Sequence, residues 1–202
     1  MFSEQSCPKK LEAKVYGKNV AIALQSAPRT YLCDICLETI MPINELLLRE
    51  FDVEIPNTRK TLERVPADKW DWKPHAKSGT LGWLAGHVAT LPGFSIAVIQ
   101  TPQMEIAGAD FPKVAKHADL LDTFTTISKQ AREAIAALTD EQLAGIWTLK
   151  WNGTVIFSLP RYDVLRVHCF NHLIHHRAQL TGYFRALDVP LPALYGPSAD
   201  EQ

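Results

Sequence analysis

Four of the seven histidines in this chain fall between positions 168 and 176: His168, His172, His175 and His176. Three of them lie in the stretch "NHLIHHRAQL" (Asn171–Leu180). Imidazole titrates near neutral pH and is the commonest side-chain ligand for transition metals. Metal ligation, proton transfer and a polar helix face in water are therefore the three chemistries open to this cluster. Spacing narrows the choice. His172 and His176 are four residues apart, which on a helix puts two rings on adjacent turns of one side, where both can reach one ion. His168 and His172 share that spacing.

A helix turns about 100° per residue. We set Leu173 at zero on a helix running from about Arg161 to Leu187, which Pro190 and Pro192 end. Leu165, Cys169, Leu180, Tyr183, Phe184 and Leu187 then fall in an apolar arc about 100° wide. His176 lies inside that arc and His172 at its edge. His168 and His175 fall well off it, at about −140° and −160°, and are read as exposed or supporting. A metal needs a third ligand. His87 shares the face of its helical segment with Leu84 and Leu91, so it also points inward. If these two segments are neighbours, His87, His172 and His176 converge. Three neutral nitrogens with one open position make a catalytic arrangement rather than a closed structural one. Without a metal, the inward pair would need hydrogen-bond partners. Zinc or nickel suits such ligands, and iron and manganese are alternatives. Arg177 and Gln179 flank the site. Orienting a ligand, binding an anion, and forming a structural salt bridge or cap are all open to them. His75 and His117 lie in or beside loops and are given no role.

Four patterned segments must position these residues. Ile43, Leu47, Phe51, Ile55, Thr58 and Leu62 form one helical stripe, with Pro56 expected to kink it. The proline-studded loop "VPADKWDWKPH" follows, its Trp70 and Trp72 covering one end of the core. A second helix starts near Thr80, a plausible N-cap, and is distorted at Pro92. "TPQMEIAGADFPKV" reads as connection. A third helix carries Leu120, Phe124, Ile127, Ala131, Ile135 and Leu138, and "TDEQ" (Thr139–Gln142) reads as a capping signal. Asn152-Gly153 between β-prone stretches marks a hairpin, near 147–158. The helix ending in the histidine cluster is the fourth. The expected fold class is all-α, a four-helix bundle. The long connections leave its topology open.

The 202 residues can bury one core with an appendage. A net charge of −1 excludes a broad basic field for nucleic acid or anionic membrane. No run approaches the roughly 18 apolar residues of a membrane span. "VAIAL" (Val20–Leu24) is too short for a signal-peptide core, so a cytoplasmic protein is expected. Residues 1–40 hold neither helical nor strand period for long. They are read as an irregular, loosely held extension ahead of a domain at 41–202, with Met41 an alternative start. Within it, Cys33 and Cys36 form a CxxC that lacks a second ligand pair and is assigned no chemistry.

The stretches "LLLREFDVE", "TRKTLERVPADKWDWKPHAKSGTLGWLAGHVA", "NHLIHHRAQLTGYFRAL" and "VPLPALYGPSADE" together resemble the DinB/YfiT family of damage-inducible, metal-dependent proteins. The family shares its name with a DNA polymerase that this chain does not resemble. The resemblance spans Met41 to Gln202. It implies an up-down-down-up four-helix bundle, often a homodimer, with a divalent metal held by three histidines. The histidine of "GHVA" is His87, and the HxxxH pair is His172 and His176. Some members transfer low-molecular-weight thiols such as bacillithiol, mycothiol or glutathione. Pro56 and the N-terminal segment depart from the pattern without touching the histidine motif.

The first expectation is therefore a transferase that passes a small thiol, its pKa lowered by the metal, to an electrophilic small molecule. A hydrolase using metal-bound water is the alternative, with Glu50, Asp52 or Glu54 as candidate bases if these acids do not simply face solvent. A metal-binding stress protein without turnover is the third reading.

Overall fold

The computed structural model describes residues 12–15, 18–21 and 41–202. The chain divides into two compact units, Met1–Ile40 and Met41–Gln202. In the first, β1 (Glu12–Val15) and β2 (Lys18–Ala21) pair antiparallel, with Glu12 opposite Ala21. No sequence period announced this ladder. Cys33 and Cys36 lie outside the described residues.

The second unit begins with α1 (Ile43–Leu62), which runs through Pro56 without ending. Leu47, Phe51, Thr58 and Leu62 of the expected stripe are buried, and Ile43 and Ile55 are half-buried. Thr80 caps α2 (Leu81–Thr90), its hydroxyl accepting the Trp83 N–H at 3.1 Å. α3 (Pro92–Gln100) follows with a 40° bend. Pro92 lacks the N–H that would continue α2, and its fixed φ suits the first turn of a new helix. α4 (Leu120–Ala136) buries Leu120, Phe124, Ala131 and Ile135. A capping box between Thr139 and Gln142 opens α5 (Asp140–Ala144).

β4 (Ile146–Trp151) and β5 (Thr154–Pro160) form the expected hairpin. Its turn residues Asn152 and Gly153 take φ of 47° and 74°. Paired left-handed residues match the twist of flanking strands. β3 (Gln103–Glu105), expected as plain connection, adds a parallel strand beside β4. Three residues are too few to alternate visibly. The carboxylate of Glu105 accepts the N–H of Asn152 at 3.0 Å and of Gly153 at 2.8 Å, tying β3 to the turn.

The last helical unit is not the uniform α-helix expected. It runs from α6 (Arg161–Asp163) through a π-helical stretch, Val164–Asn171, into α7 (His172–Ala186). A π-helix bonds five residues back and turns less per residue, so a constant 100° step drifts ahead of His172, although Leu165 and Cys169 of the expected arc are buried. His168 is where the step fails. Its ring stacks on Phe157 of β5 at 4.4 Å and is half-buried, not turned to solvent.

The unit is mostly helical with a three-stranded sheet in the order β3-β4-β5. Leu62, Leu84, Val88, Phe124, Leu180 and Phe184 join α1, α2, α4 and α7 in one apolar cluster. Trp70 packs against that cluster, its indole so close to Gly82 that an added Cβ would lie 2.3 Å from it. A second cluster gathers Phe51, Val98, Ile135, Trp147 and Leu165. Among the described residues no single helix is long and apolar enough to cross a membrane.

One ion pair crosses this interior. Arg177 of α7 is 2% exposed and Glu54 of α1 is 7% exposed. Arg177 Nη2 lies 2.7 Å from Glu54 Oε2. Arg177 Nη1 donates to the Glu54 carbonyl at 3.1 Å and to Thr58 Oγ1 at 3.0 Å. Tyr195 Oη accepts from Arg177 and donates to Glu54 Oε2 at 2.7 Å, fastening the C-terminal tail to the pair. Of the three roles open to Arg177, the structural one is realised. Removing one partner of such a pair strands the other. We expect Arg177→Met to lower the unfolding free energy by about 3–5 kcal/mol, with Arg177→Met/Glu54→Leu losing less. Denaturant titration measures both, and a double variant weaker than the single would contradict the stranded-charge account.

Candidate metal centre

His87 sits on the last full turn of α2, and His172 and His176 on the first turns of α7. The apolar cluster shared by these helices brings the three rings together. Ring centroids lie 5.3 Å apart for His87–His172, and 4.6 Å for both His87–His176 and His172–His176. One nitrogen from each lies within 4.8 Å of the other two. Among the described residues no cysteine or carboxylate completes this group. The structure thus brings together His87, His172 and His176, the three residues singled out from the sequence. All three are half-buried, at the edge of the interior rather than deep within it.

Hydrogen bonding fixes the tautomers. His172 Nδ1 lies 3.3 Å from the His168 carbonyl oxygen, and His176 Nδ1 lies 2.7 Å from Gln179 Oε1. Both partners are acceptors, so each Nδ1 carries the proton and each Nε2 is left bare. The two Nε2 atoms face each other at 2.8 Å. Bare lone pairs at that distance repel unless a cation lies between or beside them. Two nitrogens on one tetrahedral zinc, with Zn–N near 2.0–2.1 Å, stand about 3.3 Å apart. A small opening of the pair admits such an ion. The donor set therefore fits a divalent metal, and Gln179 has the ligand-orienting place left open for it.

A proton is the other cation that could sit there, and the environment disfavours it. Burial pushes the pKa of His87 down to about 4, helped by the neighbouring His176 and His172. Burial also lowers His172 and His176 below the usual imidazole value. Neutral rings keep their lone pairs for a metal at pH 7.

The remaining candidates fall outside the triad. His168 supports His172 through its carbonyl. His175 is exposed, its ring 5.0 Å from that of His176. His117 Nε2 lies 2.8 Å from the Val65 carbonyl, a structural bond that anchors the loop. Each candidate base on α1 is held by an arginine: Glu50 by Arg166, Asp52 by Arg132 and Glu54 by Arg177. Sequence reasoning missed Trp83, whose indole stacks on His87 at 5.4 Å and 11°. Its position one helical turn before His87 was the available signal.

The depressed pKa values carry a sign. A group whose folded pKa lies below its unfolded value stabilises the fold above the unfolded pKa and loses that contribution as pH falls. For His87 the window runs from 6.5 down to about 4. Metal-free protein should therefore show a falling denaturant midpoint from pH ~7 to ~5, and His87→Leu should fall less over the same range. Equal slopes for the two proteins would refute the burial cause.

Residues 50–180 match the DinB superfamily model. A crystal structure of the DinB-like protein YjoA from Bacillus subtilis superposes with a TM-score of 0.59 at 19% identity, covering 73% of this chain and 96% of that one. A DinB-like protein from Bacillus cereus superposes with a TM-score of 0.58 at 22% identity, covering 73% and 95%. Both likenesses are of fold. No curated protein matches the sequence. The family match spans most of the chain and all three histidines, and the chain belongs to the DinB superfamily.

Proposed function

We propose that this protein is a metal-dependent transferase that passes a low-molecular-weight thiol to an electrophilic small molecule. The observation that carries the reading is the facing pair of bare Nε2 atoms on His172 and His176, with His87 beside them and no fourth protein ligand among the described residues. A zinc or nickel ion bound there, or iron or manganese, would supply Lewis acidity to whatever small molecule takes its open position. A thiol held there would ionise more readily than in water.

The chain's own residues supply the rest. His87, His172 and His176 offer neutral nitrogens. Gln179 and the His168 carbonyl hold two of the rings in one tautomer. Cys169 does not compete as a nucleophile, since full burial pushes its thiol up to about 12. The hydrolytic alternative needs a general base, and Glu50, Asp52 and Glu54 are each engaged by an arginine. That difference favours thiol transfer, in which metal and thiol together supply the nucleophile. A metal-binding stress protein without turnover is the remaining alternative. We further propose that the helices form the family's up-down-down-up four-helix bundle and that the protein works as a homodimer in the cytoplasm.

The test is a panel of bacillithiol, mycothiol and glutathione with monochlorobimane, an electrophile that fluoresces on forming a thioether. Protein loaded with zinc or nickel should give turnover with at least one thiol. Chelation and His176→Ala should each reduce it by about 100-fold or more, the scale on which loss of an activating metal acts. No metal-dependent turnover with any thiol would refute the transferase reading.

A further inference from the structure

The surface beside the three histidines carries a largely exposed aromatic side chain. Trp83 lies on α2 one turn before His87 and is 58% exposed. A lone exposed tryptophan decides nothing, because single apolar residues are common on protein surfaces. Its placement does. The indole lies nearly parallel to the His87 ring, 5.4 Å between centroids and 11° between planes. It also closes over Gly79, where an added Cβ would stand 2.4 Å from Trp83 Cε3. Any other residue at 79 would displace the ring.

Gly79 is itself held. Its carbonyl accepts the hydroxyl of Tyr183 at 3.2 Å, and Tyr183 meets Trp72 edge-on at 5.7 Å. Tyr183 lies two turns beyond His176 on α7. The indole is therefore fixed in orientation by His87 and by a loop tied to α7, while more than half of the residue stays in water. A rigid, solvent-facing π-surface costs little entropy to use and gains by covering.

We propose that Trp83 is a stacking platform that selects substrates carrying a planar aromatic group next to the atom held at the three-histidine centre. This rests on the metal-centre reading and adds to it the class of molecule accepted. His87 ties the two together, because the ring that offers a nitrogen to the ion also sets the plane of the indole. A ligand reaching the centre with a flat group beside its donor atom meets that indole. A ligand with a small aliphatic group leaves it in water.

Two hydroxamic acids separate the platform from the metal. Acetohydroxamate and benzohydroxamate present the same chelating group, one with a methyl and one with a phenyl ring. Titrated into zinc-loaded protein by calorimetry, benzohydroxamate should bind about tenfold tighter, the scale of a stacked aromatic pair plus its buried area. In Trp83→Ala the ratio of the two affinities, both measured on the zinc-loaded variant, should fall below about threefold, and Trp83→Phe, which keeps a ring beside His87, should keep most of the preference. An unchanged ratio in Trp83→Ala, or equal affinities in the unaltered protein, overturns the platform and leaves the metal centre standing. Protein that takes up no zinc overturns both.

Discussion

The interior of this domain is organised around a charge. Arg177 carries a guanidinium into a site with almost no solvent, and Glu54, Thr58 and Tyr195 satisfy it. Burying one unpaired ion is far more costly than leaving a surface pair unmade, so the arrangement tolerates little variation. Glu54 and Thr58 lie one turn apart on α1, and Arg177 reaches both. The contact fixes the rotation of α7 as well as its distance from α1. His176 is the residue before Arg177, and His172 lies one turn earlier. With Arg177 locked against α1, the two histidines are turned to the adjoining side of α7, where α2 and His87 lie. The tail closes the same lock through Tyr195, which donates to Glu54.

The apolar cluster does the complementary part. Leu84 and Val88 of α2 pack with Leu180 and Phe184 of α7, which sets the approach of the two helices. Neither interaction alone would converge three rings. Convergence then creates its own electrostatic problem. Burial and mutual repulsion keep the imidazoles neutral, and outward hydrogen bonds place the protons of His172 and His176 on Nδ1. What remains is a cluster of lone pairs facing inward. Proteins keep such unsatisfied polar groups where they have a use. A divalent cation satisfies these with one ion.

Much of this was legible in the residues. The stripe from Ile43 to Leu62, the cap at Thr80, the break at Pro92 and the Asn152-Gly153 turn are local signals, and local chemistry decided each of them. The His172–His176 pair was legible because its spacing survives inside α7. His168 was not, because the π-helical stretch breaks the constant rotation on which a helical wheel depends. β3 escaped because it is three residues long and exists only through its pairing with β4. The partners of Arg177 on α1 are 123 and 119 positions away, and no local period reports a contact of that range. Trp83 stands one helical turn before His87, a spacing that lets the two rings meet on one side of α2, but its exposure to solvent is set by the fold.

His87, His172 and His176 are arranged to hold one divalent ion. The decisive measurement is metal content per chain on protein loaded with zinc or nickel and then freed of excess ion. One ion per chain is expected in the unaltered protein. Background levels are expected in His87→Ala, His172→Ala and His176→Ala variants whose helicity is intact, and full occupancy in His175→Ala. Full occupancy in any of the three triad variants would contradict this assignment.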